Sequence, residues 1–297
     1  MFPLRVGGSK LNKDKLIKNL EDLGLDKVKN LVEKEEGLYE LELENGNSYK
    51  LKTFPMELFS DLSKQVKIFD ALLDKGVEIA PRFIVGKVED ENQFFILFKQ
   101  AMKVDEKDFD FGVKLGNFLR EYHRVSEGGD SNLWEKKFGH RMVLFFHNYY
   151  LCNYTGPKDY ILLDYLNDNK HLISDRDTVE FLGIDNLLDI SLDDEGRLVN
   201  LKFLVEDKRD PYYQFRDLNF SKPKDWEYSR GLVQGYFNGK PPILFFKTLA
   251  VYSIVEYLYE DLEKQTEVDC ESLREKIDYL LELYEDFSKI YPRWYKN

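Results

Sequence analysis

The chain has 297 residues, 43% of them hydrophobic, which is enough for one large domain or for two lobes sharing a cleft. Its formal charge of -12, from 43 Lys and Arg against 55 Asp and Glu, argues against nucleic acid as a partner, because phosphate binding needs clustered cations, and would suit a small cationic ligand. No apolar run of about 18 residues occurs and the opening MFPLRVGGSKLNKDK lacks the apolar stretch of a secretory signal, so no membrane partner and a cytoplasmic location are expected.

In chain order, residues 38 to 54, LYELELENGNSYKLKTF, alternate apolar and polar side chains around Asn45-Gly46-Asn47, which predicts an antiparallel hairpin. Residues 61 to 75 place Leu62, Val66, Phe69, Leu72 and Leu73 on one helical face, and Gly76 stands where a helix would stop. A short strand is expected near Arg82 to Val85, after Pro81, and another at FFILF, residues 94 to 98. Up to Phe98 the expected order is strand, strand, helix, strand, strand.

Beyond that point the pattern becomes helical. FGVKLGNFLREYH, residues 111 to 123, reads as an amphipathic helix with Leu115, Phe118, Leu119 and Tyr122 inward. Aromatic-rich helices are expected over 134 to 150 and 158 to 168, and two long ones over 245 to 264 and 271 to 290. The run Phe145, Phe146, Tyr149 and Tyr150 is taken as core rather than a ligand cage. The expected division is a first lobe over 1–98 and a helical lobe over 99–297, joined by a short connection near 98 to 104.

Cys152 and Cys270 have no His or Cys at metal-ligand spacing, so neither a zinc site nor a disulfide framework is suggested. The four histidines, His123, His140, His147 and His171, are scattered singly. His123 closes the 111 to 123 helix, where a charged imidazole would interact well with the helix dipole. Neither a dinucleotide fingerprint nor a GxxxxGK[ST] loop is present.

Four segments carry a family resemblance. These are SYKLKTF (48 to 54), LGIDNLLDISLDDEGRLVNLKFLVEDKRDPYYQF (182 to 215), GYFNGKPPILFF (235 to 246) and YPRWY (291 to 295). In order and spacing the chain resembles the aminoglycoside phosphotransferase and choline kinase superfamily. The resemblance implies an α+β, bilobal protein-kinase-like fold, with a small antiparallel-sheet N-lobe carrying one helix and a mainly helical C-lobe. It also implies ATP as cofactor and a small hydroxylated, cationic acceptor. Lys52 takes the place of the lysine that touches the phosphates, and Gln65 that of its usual Glu partner.

The acidic positions depart from the family. Its catalytic loop begins His-Gly-Asp, with Asn five residues after the Asp; here the sequence has Leu182, Gly183, Ile184 and Asp189. Asp210-Pro211 matches the family's Asp-Pro, and counting back from it puts Lys202 at the metal-binding Asp. An alkyl group at 184 cannot accept a proton or orient a hydroxyl, and a Lys at 202 argues against magnesium.

Asp185 and Asp189 are the candidates for displaced catalytic roles; the competing reading of Asp185-Asn186 is a turn or cap. Lys202 would either neutralise phosphate directly or pair with Glu206 or Asp207. Asp193, Asp194 and Glu195 before Gly196 are expected to form a polar hairpin tip. Two functions follow: a catalytically impaired pseudokinase with a binding or regulatory role and a protein partner, or an active ATP-dependent phosphotransferase.

Overall fold

The computed structural model describes residues 12–77, 84–88, 92–99, 102–103, 107–126, 128–152, 156–180, 191–193, 196–199, 208–263 and 268–296. The helices are α1 (Lys13–Asp22), α2 (Phe59–Asp74), α3 (Phe109–Val125), α4 (Ser131–Leu151), α5 (Asp159–Asn169), α6 (Trp226–Phe237), α7 (Ile243–Leu262), α8 (Cys270–Leu283) and α9 (Arg293–Lys296). The longer strands are β1 (Val28–Glu35), β2 (Leu38–Leu43), β3 (Ser48–Pro55), β4 (Ile84–Val88) and β5 (Gln93–Lys99). Two-residue strands follow: β6 (Met102–Lys103), β7 (Val179–Glu180), β8 (Ser191–Leu192), β9 (Leu198–Val199) and β10 (Lys208–Arg209). The chain divides into two compact units, Met1–Val104 with Ile190–Glu206, and Asp105–Asp189 with Asp207–Asn297.

In the first unit an antiparallel sheet runs in the order β1-β2-β3-β5-β4. The expected hairpin is β2–β3, with Gly46 at φ 87° in its turn, where a side chain would be strained. Helix α2 stops as expected, with Gly76 at φ 75°. The sequence order omitted two elements. Helix α1 is capped by Asn12, whose Oδ1 accepts from the amides of Asp14 and Lys15. Its Leu16 and Leu20 pack on Leu41, Leu51, Phe95 and Leu97 of the sheet. Strand β1 lies at the sheet edge, and of its eight residues only Leu31 is buried, so it shows none of the alternation that marks a half-buried strand.

The second unit is built on a close pair of parallel helices. Gly112 and Gly116 of α3 face Gly231 and Gly235 of α6. A Cβ at Gly112 would come 2.2 Å from the Tyr228 carbonyl oxygen, and one at Gly231 2.1 Å from that of Phe109. Only glycine at these four positions lets the two backbones approach so closely. Advancing four residues along α3 advances the contact by four along α6, so the helices run in the same direction.

Helix α7 is apolar on nearly every side and buried, from Phe245 to Leu262, as befits a central helix. Inward residues of α4, among them Trp134, Phe138 and Phe145, are buried with it, whereas Tyr150 is 67% exposed, so the aromatic run is only half core. Asn219 is fully buried and satisfied: its amide donates to Ser253 Oγ (2.9 Å) and Tyr284 Oη (2.8 Å), and its Oδ1 accepts from Trp294 Nε1 (3.0 Å). That bond anchors the YPRWY segment, whose Trp294 has no solvent exposure.

The last long helix ends sooner than its pattern suggests. Helix α8 stops at Leu283, and Glu285, Asp286 and Phe287 all adopt left-handed backbone, at φ 51°, 53° and 54°. The Phe287 ring lies 4.3 Å from Tyr165 and 5.0 Å from Tyr284, centroid to centroid, and Asp286 pairs with Lys158. These ring contacts of the half-buried Phe287 offset part of the cost of the strained turn. Among the described residues no helix is long and apolar enough to cross a membrane.

Candidate functional site

Strand β3 fixes Lys52 by register. Its backbone lies between Leu38 of β2 and Ile96 of β5, in the middle of the five-stranded sheet. Its neighbour Leu51 points into the core beneath α1, so the pleat sends Lys52 to the opposite face, with Phe54. There its ammonium sits 5.5 Å from the Phe54 ring centroid. Phe94 packs against Phe54 and against Phe59 of α2, which gives this face an aromatic floor. Lys52 is half-buried, and no carboxylate among the described residues pairs with it. The side chain of Gln65, its expected partner, lies outside the described residues, as do Ile184, Asp185, Asp189 and Lys202.

The described residues on either side of those segments are firmly held. Strand β7, just before residue 181, pairs with β10, just after residue 207, through Glu180 with Lys208 and Val179 with Arg209. In the first unit, β8 and β9 form a small sheet with β6. The turn between them is no solvated tip at Asp193, which is 1% exposed. Its carboxylate accepts from the Arg197 amide and from Arg197 Nε, both at 2.8 Å, and so closes the hairpin. A buried carboxylate held by two donors is a structural clasp.

Asp210, matched in the sequence as the first residue of Asp-Pro, is fully buried. Its carboxylate accepts from Arg176 Nε (2.6 Å) and a second Arg176 nitrogen (3.2 Å), from the Tyr252 hydroxyl (2.8 Å), and from the Tyr212 amide (2.7 Å). Arg176 lies over the Tyr212 ring at 4.2 Å, and Tyr252 in turn accepts from Trp134 Nε1 at 3.1 Å. Sequence reasoning missed Arg176 altogether. It is 34 residues from Asp210 and belongs to no motif, so only the fold brings it there.

His123 lies inside α3 rather than at its last residue, and its Nδ1 is 2.9 Å from the Tyr236 hydroxyl. Burial pushes its pKa down to about 3, and its Nε2 is buried without a hydrogen-bond partner. The imidazole is therefore neutral at pH 7, and the expected charge–dipole role is corrected. Beside it opens a 690 Å³ cavity bordered by Arg120 and Arg124. Both guanidinium groups are engaged by Glu121, so the cavity presents no free pair of cations to an anion. Among the described residues, no cluster of three or more His, Cys, Asp or Glu could hold a metal ion.

No family model and no curated protein sequence matches the chain. Solved structures do. An aminoglycoside phosphotransferase from Alicyclobacillus acidocaldarius is similar at 11% identity and a TM-score of 0.54, covering 96% of this chain and 99% of that one. A macrolide 2'-phosphotransferase from Brachybacterium faecium is similar at 14% identity and 0.54, covering 90% and 98%. A spectinomycin phosphotransferase solved with ADP and spectinomycin is similar at 14% and 0.53, covering 93% and 95%. At such identities the likeness establishes the fold: the chain has the α+β, kinase-like architecture of these phosphotransferases.

Proposed function

We propose that this chain is a kinase-like protein that binds a nucleotide through Lys52 and has lost most or all phosphotransfer, acting in the cytoplasm as a binding or regulatory protein. The observation that carries the reading is the placement of Lys52 at the centre of the sheet, half-buried, with no carboxylate partner among the described residues. An ammonium about 4 Å from a phosphate gains roughly 4 kcal/mol at an effective dielectric of 20, before desolvation. The fold also favours a phosphate ligand, since the spectinomycin phosphotransferase of this architecture was solved with ADP.

Impairment rests on the residues aligned with the acidic positions. Ile184 has no proton-accepting atom and Lys202 repels a divalent cation. Loss of a single catalytic group costs about 10³- to 10⁴-fold or more in well-studied enzymes, and here two positions change together.

A thermal-shift titration with ATP, ADP and GTP, with and without magnesium, tests this on wild type, Lys52→Ala and Lys202→Ala. Nucleotide at about 100 times its dissociation constant adds about 2.7 kcal/mol, or roughly 5–10 °C in a chain near this size. The expected result is a metal-independent shift that disappears in Lys52→Ala. No shift with any nucleotide would remove the binding reading. Magnesium-dependent ATP consumption with a hydroxylated acceptor, abolished by Asp185→Ala or Asp189→Ala, would establish an active phosphotransferase instead.

A further inference from the structure

Glycine is among the poorest helix formers, so a glycine inside a long helix calls for a reason. At Gly112, Gly116, Gly231 and Gly235 the reason is a backbone 2.1–2.3 Å from where a Cβ would stand. Gly139, in the middle of α4, has no such neighbour: a Cβ there would meet nothing within 4 Å. What lies beside Gly139 is a 490 Å³ cavity between α4 and the 3-10 turn Lys170–Ile173. That volume falls within the roughly 300–1,000 Å³ of small-molecule sites.

The cavity has an apolar floor and a charged rim. Met142, Phe146 and Ile173 supply the floor. Lys136 and Lys170 stand at the rim, and the carboxylate that lines it, Glu135, accepts a hydrogen bond from the Ser174 hydroxyl at 2.9 Å. The rim therefore carries a net positive charge on a chain whose total is -12. An apolar pocket with surplus ammonium at its mouth matches a ligand with a hydrocarbon body and one negative end.

We propose that this cavity binds a small amphipathic carboxylate, its chain over Gly139 and Met142 and its carboxylate between Lys136 and Lys170. Gly139 keeps the floor open for the chain, which packing within the protein does not require. The site is independent of the nucleotide reading, because every residue in it belongs to the helical unit and its test contains no nucleotide.

The probe is decanoate below its micelle concentration, with decanol as the uncharged control, added to full-length protein labelled at the methionine methyl groups. The chain has four methionines, and Met142→Leu assigns the signal in the cavity. The expected result is a saturable shift of the Met142 signal by decanoate, with decanol binding more weakly. Gly139→Leu should fill the cavity and weaken decanoate binding at least tenfold, while a urea midpoint close to the wild type's shows that the helical unit is kept, since the other three methionines all lie in the first unit. Lys136→Gln combined with Lys170→Gln should weaken decanoate at least tenfold and leave decanol unaffected. A Met142 signal indifferent to decanoate, equal affinity for decanol, or undiminished binding to Gly139→Leu would each overturn the proposal.

Discussion

Arg176 and Asp210 meet inside the helical unit as a two-point ion pair, with Asp210 fully buried and Arg176 mostly so. Tyr252 and the Tyr212 amide also point at the carboxylate, so all its neighbours assume a negative charge. Removing one member leaves the other charge in a low dielectric without compensation, which typically costs about 3–5 kcal/mol. Asp210→Ala should therefore lower the urea midpoint sharply. Asp210→Asn keeps the shape but not the charge and should recover only part of the loss. An Asp210→Ala protein with the wild-type midpoint would show that the pair contributes nothing to stability.

The α3–α6 contact predicts opposite outcomes for the same substitution at different glycines. Gly231→Ala puts a methyl 2.1 Å from a carbonyl oxygen, so the helices must separate, and overpacking of that kind costs about 1–3 kcal/mol despite alanine's better helix propensity. Adding Gly112→Ala should cost less than it does alone, because the helices are already apart. Gly139→Ala, made in open space, should stabilise by up to about 1 kcal/mol. Equilibrium denaturation of the four variants checks all three statements.

Much of this fold was legible because its segments carry their own signals. The β2–β3 hairpin, α2 and its glycine stop, and the inward face of α3 at Leu115, Phe118, Leu119 and Tyr122 follow from local periodicity and turn chemistry. Strand β1 was hidden because only Leu31 of its eight residues is buried and its register against β2 shifts twice, which breaks the period of two. The glycine pairs were hidden for another reason: Gly112-x-x-x-Gly116 and Gly231-x-x-x-Gly235 gain meaning only when the 114 residues between Gly116 and Gly231 fold back to join them. (Gly112 and Gly231 are 119 positions apart.)

The candidate site was legible to a smaller degree. Lys52 could be placed by the order of elements, and its central position in the sheet then follows from strand register. The role of Asp193 was misjudged because its Arg197 clasp is a matter of side-chain geometry, and the sequence Asp-Asp-Glu-Gly reads as a solvated turn. Arg176 could not be paired with Asp210 from spacing at all.

The left-handed turn after α8 offers a stabilising change. Each non-glycine residue there carries a steric cost of about 1–2 kcal/mol, but Asp286 and Phe287 also make contacts that a substitution would lose. Glu285 is exposed, so Glu285→Gly relieves the Cβ clash at the price of extra unfolded-state entropy. The balance should be about 0.5–1 kcal/mol in favour of the variant, or roughly 1–4 °C in the melting temperature. Phe287→Gly should instead lower it, because it empties the stack against Tyr165 and Tyr284.

His123 gives the fold an acid sensitivity whose direction follows from burial. Its folded pKa is depressed to about 3, against about 6.5 in an unfolded chain. Above pH 6.5 the imidazole is neutral in both states and has no linkage effect. Between 6.5 and 3 the unfolded state binds a proton that the folded state refuses, so stability falls with falling pH, by at most about 1.4 kcal/mol per unit. Below 3 both states are protonated and the loss levels off. His123→Gln can keep a bond to the Tyr236 hydroxyl and removes the titration, so its stability should fall less steeply than wild type between pH 6.5 and 4. Urea midpoints for both proteins at pH 7.5, 6, 5 and 4 decide it: a difference that widens in the variant's favour as pH drops supports the buried neutral imidazole, and a constant difference rules it out.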